Sequence, residues 1–104
     1  MRSKDFRRVY DEGVRYASPL FAAFCVREAQ PDGPRIGFTV PRALGKAVVR
    51  NRIRRRVREA VRLGLDRLSP QWSIVINPRR KALDAPVAEL RREVERLFLR
   101  CNGS

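Results

Sequence analysis

Histidine is absent from the 104 residues, and cysteine occurs only as Cys25 and Cys101. A structural zinc site needs several such ligands at close spacing, so none is expected. The two cysteines stand far apart with no partner motif. They are read as reduced thiols of a cytoplasmic protein. Without histidine, and with serines only in turns or at chain ends, no nucleophile–base pair is visible. Acidic residues number 11 against 24 lysines and arginines, and they are scattered. No spacing suggests a carboxylate pair or a metal cage, so the side chains themselves are expected to perform no hydrolysis. There is no apolar span of about 20 residues and no signal-peptide core, so neither export nor a membrane crossing is expected. Internal repeats and low-complexity tracts are also missing.

What remains is a strongly basic globule. Hydrophobic content is 43% and the formal net charge is +13. The length suits one domain, residues 1–104, with a modest core. Such charge favours a polyanionic partner, nucleic acid first. A membrane surface fits less well, because the basic stretches lack the interfacial Trp, Phe and Leu pattern.

The charge is concentrated from Gly45 to Arg62. Six of the nine residues from Arg50 to Arg58 are arginine. Val49, Ile53, Val57, Ala60, Val61 and Gly64 recur there at spacings of three and four, the period of one buried helix face. At about 100° per residue, Asn51, Arg54, Arg55, Arg58 and Arg62 share one sector. Arg52 and Arg56 fall on the other flank, near Glu59. A merely solvated helix would alternate charge signs, which this one does not. Asn51 could alternatively be the helix N-cap. Gly45-Lys46 is not a phosphate-binding loop: Val40 stands where that motif needs glycine, and Ala47 replaces its Ser or Thr.

The rest of the chain reads as α, short β, β, β, α, β, α. Ser3 to Glu12 is a helix with Ser3 as N-cap and Gly13 as its stop. Phe6, Val9 and Tyr10 share a face; the two aromatics are either core anchors or stacking platforms for bases. Val14 to Ala17 is a short strand. Leu20 to Arg27 is a strand apolar on both tracks. Gln30 to Pro34 is a turn, and Arg35 to Val40 alternates Ile36, Phe38 and Val40 with Arg35, Gly37 and Thr39. These two strands read as an antiparallel hairpin. The arginine helix runs to about Leu65 or Leu68 and ends at Ser69-Pro70. Trp72 to Asn77 is a strand, Arg79-Arg80-Lys81 a basic loop. Asp84 and Pro86 open a last helix whose apolar face is Val87, Leu90, Val94, Leu97, Phe98 and Cys101. The fold class is α+β, a sandwich around one sheet.

Three stretches resemble the protein component of bacterial ribonuclease P. They are Arg35-Ile36-Gly37-Phe38-Thr39-Val40 running into Gly45-Lys46-Ala47-Val48-Val49, Arg50-Asn51-Arg52 with Arg54, Arg55 and Arg58 behind it, and Lys4-Asp5-Phe6 with Val9-Tyr10 and Gly13. The resemblance implies a two-layer sandwich like the second domain of ribosomal protein S5. In it the arginine helix joins two parallel strands by a left-handed βαβ crossover, against the right-handed rule. It implies a subunit of an endoribonuclease that matures the 5′ end of tRNA. A catalytic RNA performs the cleavage with bound Mg²⁺, and the protein binds that RNA and the 5′ leader of precursor tRNA.

Carried over by position, the RNA-binding candidates are Lys46, Arg50, Asn51, Arg52, Arg54, Arg55, Arg56, Arg58 and Arg62. The leader-cleft candidates are Phe6, Tyr10, Phe24, Thr39 and Arg42. Family members commonly have Ser-Lys-Lys after this strand; here Pro41-Arg42-Ala43 stands there, with Arg42 the substitute for one basic contact. The extension before the first helix is nearly absent. Alternatives are a ribosomal protein, which needs no aromatic cleft, a DNA-binding helix, which lacks a helix-turn-helix partner, and a metal-dependent nuclease, which lacks acids.

Overall fold

The computed structural model describes residues 3–27, 34–68 and 72–103. The capping side chain of Ser3, the turn from Gln30 to Gly33 and the Ser69-Pro70 break lie outside the described residues. Along the chain come α1 (Ser3–Glu12), β1 (Val14–Ala17), β2 (Phe21–Arg27), β3 (Arg35–Phe38), α2 (Ala47–Gly64), β4 (Trp72–Pro78) and α3 (Val87–Asn102). Short 3₁₀ turns at Arg42–Leu44, Leu65–Arg67 and Arg80–Leu83 link them. The expected element order holds, except that the basic loop after β4 is itself a 3₁₀ turn.

The four strands form one sheet in the order β1-β2-β4-β3. Strand β2 is antiparallel to both β1 and β4, and β3 is parallel to β4. The expected β2–β3 hairpin is therefore wrong: β4 lies between them, and the hairpin is β1–β2. The reason lies in β4 itself. Trp72 to Ile76 is buried at every position, as a central strand covered on both faces must be. Such a strand needs a neighbour on each edge, and β2 and β3 supply them. The parallel β3–β4 pair is bridged by α2, so the arginine helix is a crossover connection.

Alternation along the strands sorts two clusters. Phe21, Ala23, Cys25, Ile74 and Ile76 face α2 and α3, where they meet Ile53, Val57, Leu90, Val94, Leu97 and Phe98. Val26 and Val75 face the other way and pack with Val9 of α1, flanked by the partly buried Phe6, Tyr10 and Phe24. Gly37, expected on a polar face, is buried because it pairs in register with Val75 beneath this second cluster. Gly13 lets α1 turn onto the sheet. A Cβ there would stand 2.3 Å from the Val9 carbonyl and 3.2 Å from the Cys25 backbone, closer than a packed side chain tolerates.

Helix α3 departs from its expected face at two places. Val87, the first residue of α3, is 60% exposed. Glu93, by contrast, is buried. Its carboxylate accepts from Ser18 Oγ and from Arg96 Nη1, each at 3.2 Å. Ser18 Oγ in turn accepts from Leu20 N at 3.1 Å. A buried carboxylate held this way ties the β1–β2 turn to α3. Cys25 and Cys101 are free thiols, both buried, with Sγ atoms 3.6 Å apart. The mutual hydrogen bond and burial hold the Cys25 thiol well above its ordinary range.

Candidate nucleic-acid interface

Gly45, at φ 135°, breaks the chain between the 3₁₀ turn and α2. An added Cβ would meet Val49 and the Arg80 guanidinium at 3.2 Å, so both the conformation and the space favour glycine. Lys46 is the N-cap and is exposed. Ile53, Val57, Ala60, Val61 and Gly64 are buried, the stripe expected from the spacing. Asn51 is not the cap; it lies inside the helix, and its Oδ1 accepts from Arg54 Nη1 at 3.2 Å.

The arginines do not form one uniform surface. Arg52, Arg55, Arg58 and Arg62 are exposed, while Arg50, Arg54 and Arg56 are half-buried. Arg58 and Arg62 border a wide depression of about 500 Å³ beside Ile36 and Phe38 of β3. Arg55 and Arg56 border a hollow of about 230 Å³ on the α3 side, with Leu63, Val87, Leu90 and Arg91. The wheel grouped Arg55 with Arg54 and Arg58. It stood at the edge of that sector, and its long side chain reaches the other flank.

Arg56, expected to face RNA, turns its guanidinium onto the protein. Its Nη1 donates to the carbonyls of Ala82 at 2.6 Å and Leu83 at 2.5 Å, and its Nη2 donates to the carbonyl of Ala85. One planar fork thus closes the exit of the Arg80–Leu83 turn. Arg62 is held by Glu59 through Nη2 at 2.6 Å and Nε at 3.1 Å. Arg62's hydrogen bond keeps the Glu59 carboxyl below its usual range. Arg50 carries a buried Nε with no partner among the described residues.

The aromatic candidates gather on the sheet face that carries α1. Tyr10 and Phe24 meet edge to face, centroids 4.8 Å apart and planes at 74°. Phe6 packs against the same cluster. All three remain half-buried, so each anchors α1 and still offers ring surface. Tyr10 Oη lies 3.2 Å from Thr39 Oγ1 and 2.7 Å from Asn77 Oδ1. Phe24 and Thr39 thus share a face. Arg42 is exposed in the 3₁₀ turn just beyond Thr39, on the path from the cleft to α2. Sequence reasoning missed Asn77. The available sign was a polar residue near the end of a mostly apolar strand. Among the described residues no three His, Cys, Asp or Glu side chains gather in a way that could hold a metal ion. No described helix is long and apolar enough to cross a membrane.

Comparison with known proteins places these features in a family. The family model described as Ribonuclease P matches residues 1–102. The ribonuclease P protein component of Symbiobacterium thermophilum is 44% identical over 95 residues, covering 91% of this chain and 83% of that one. The component from Chloroflexus aurantiacus is 43% identical over 98 residues, covering 93% and 72%. Among solved structures, the RNase P protein from Thermotoga maritima superposes with a TM-score of 0.84 at 28% identity, covering 96% of this chain and 94% of that one. The RNase P protein of Staphylococcus aureus gives 0.80 at 27% identity, covering 96% and 90%.

Proposed function

The chain belongs to the ribonuclease P protein family, the protein component of an RNA-based endoribonuclease of tRNA 5′ maturation, and from that membership we propose that it holds two RNAs on two surfaces. The exposed arginines of α2, with Lys46, take the phosphates of the catalytic RNA. The cleft of Phe6, Tyr10, Phe24, Thr39 and Arg42 takes the single-stranded 5′ leader of precursor tRNA. The cytoplasm is the compartment proposed. Hydrolysis is assigned to the RNA and its bound Mg²⁺. The described acidic residues do not fit a Mg²⁺ cage, so this chain's part is to position the substrate and offset phosphate charge.

One observation carries the reading. Tyr10 and Phe24 are joined edge to face yet keep accessible ring surface, and from their neighbour Thr39 the chain runs through the Arg42–Leu44 turn into the arginine helix. An RNA-binding ribosomal protein needs basic charge but no aromatic cleft. Single-stranded bases need both.

The test compares precursor with mature tRNA. Tyr10→Ala or Phe24→Ala is expected to weaken binding of the precursor by the loss of about one stacked base, roughly 1–3 kcal/mol. Mature tRNA, having no leader, should bind each variant like the parent. Equal losses for both RNAs, or thermal unfolding at the assay temperature, would show the rings to be core alone.

A further inference from the structure

Cys25 and Cys101 belong to the main core cluster, one on β2 and one in the last turn of α3. They stand 76 positions apart in sequence, yet their Sγ atoms lie 3.6 Å apart. A bond would need the sulfurs to close to about 2.05 Å, a movement that two side-chain rotations can share. Buried thiols without access are inert. This pair differs, because a hollow of about 100 Å³ reaches both residues. It is walled by Tyr16 and Trp72 and by the exposed Arg15 and Arg100. A water molecule takes about 30 Å³, so a molecule of two oxygens fits where a peptide does not.

We propose that Cys25 and Cys101 form a dithiol site for a small hydroperoxide, which enters the hollow and converts the pair to a disulfide fastening the end of α3 to β2. The inference is independent of the leader reading, since the cysteines face the helices and Phe24 lies on the other side of the sheet. The two sulfurs are not equivalent. The hydrogen bond between them lowers the Cys101 thiol and, with burial, raises that of Cys25. Cys101 therefore ionises first, while Cys25 keeps its proton and donates it to the thiolate. The carbonyl end of α3 disfavours that negative charge, and the guanidinium groups of Arg15 and Arg100 offset it. The Cys101 thiolate attacks one peroxide oxygen. The O–O bond breaks, the sulfur is oxidised to a sulfenic acid, and the leaving oxygen takes up a proton as water or an alcohol. The Cys25 sulfur then attacks Cys101 Sγ. The S–S bond forms, the S–O bond breaks, and hydroxide leaves with the Cys25 proton as water.

The experiment takes the whole 104-residue chain, reduced and then freed of reductant, and adds hydrogen peroxide in native buffer. The intact mass should fall by two hydrogens with the protein still monomeric. Digestion without reductant should yield a linked Cys25–Cys101 peptide. The link closes a long loop, so Tm should rise on the order of 10–20 °C and fall back with dithiothreitol. Cys25→Ser should stop the reaction at its first step, with one oxygen added to Cys101. Should that variant fail to fold, the mass and linked peptide of the parent still decide. Oxidised glutathione, too bulky for the hollow, is the second reagent. With each rate divided by that for the urea-unfolded chain, peroxide should be favoured by about tenfold or more. A parent that keeps both thiols, gains oxygen without a link, or pairs between chains overturns the proposal. Equal normalised rates overturn it as well, because opening of the fold, and not the hollow, would then deliver the oxidant.

Discussion

The variant Arg52→Ala/Arg55→Ala/Arg58→Ala is expected to bind the catalytic RNA about a hundredfold more weakly near physiological salt. The three side chains are exposed, and within the described residues they make no hydrogen bond or ion pair. Each is therefore available to a phosphate without first breaking a protein contact. Counterion release gives a slope of about 0.9 in log K against log salt per duplex phosphate, which at about 0.15 M is roughly a factor of five per contact. Three contacts multiply to about two orders of magnitude, and the slope should fall by about 2 to 3. Arg62 is left out of the set because Glu59 already holds it at 2.6 Å. The same loss should appear as a metal requirement. Catalytic RNA with the parent protein should cleave precursor tRNA at lower Mg²⁺ than the RNA alone; with the triple variant the requirement should return toward that of the RNA. An unchanged salt slope would show that these arginines do not meet phosphate.

The helices were legible because their signals are local and repeated. The bounds of α1 follow from Ser3 and Gly13 at its ends, and the buried stripe of α2 from spacing alone. Phe24 and Thr39 came together only through the resemblance, since strand alternation fixes sidedness only once the central strand is known. Strand order was not legible. Adjacency in sequence suggested β2 beside β3, whereas the burial of β4 on both faces decides the sheet, and burial is a tertiary property. The same limit hid Glu93, whose partner Ser18 comes from the far side of the chain, and the approach of Cys25 to Cys101. Asn77 was visible as a polar residue in β4, but not its contact with the cleft, which depends on a hydroxyl brought over it by α1. The arginines illustrate the point most sharply. A helical wheel assigns an angle to each, but not a partner.

Arg56 is where that distinction has the largest consequence for stability. Arg56→Ala is expected to cost about 2–4 kcal/mol of folding free energy, from the loss of charge-assisted bonds to several carbonyls at once. The carbonyls of Ala82, Leu83 and Ala85 sit at the exit of a 3₁₀ turn, where helix-type partners run out. Ala82 and Ala85 are themselves buried, so water replaces the lost donors poorly. That turn leads into α3, which closes the main core through Leu90, Val94 and Leu97, so loosening it should be felt by the whole domain. Arg56→Lys should recover only part of the loss, because an ammonium is a point donor and lacks the planar fork that spans separate carbonyls. Arg58→Ala is the control: its side chain is exposed, and its removal should change stability by less than about 0.5 kcal/mol. Urea denaturation of the three variants against the parent makes the comparison directly. RNA assembly, measured below the unfolding transition of each, should be weakened more by Arg58→Ala than by Arg56→Ala. If Arg56→Ala proves as stable as Arg58→Ala, its guanidinium does not hold the turn and belongs with the RNA-facing set.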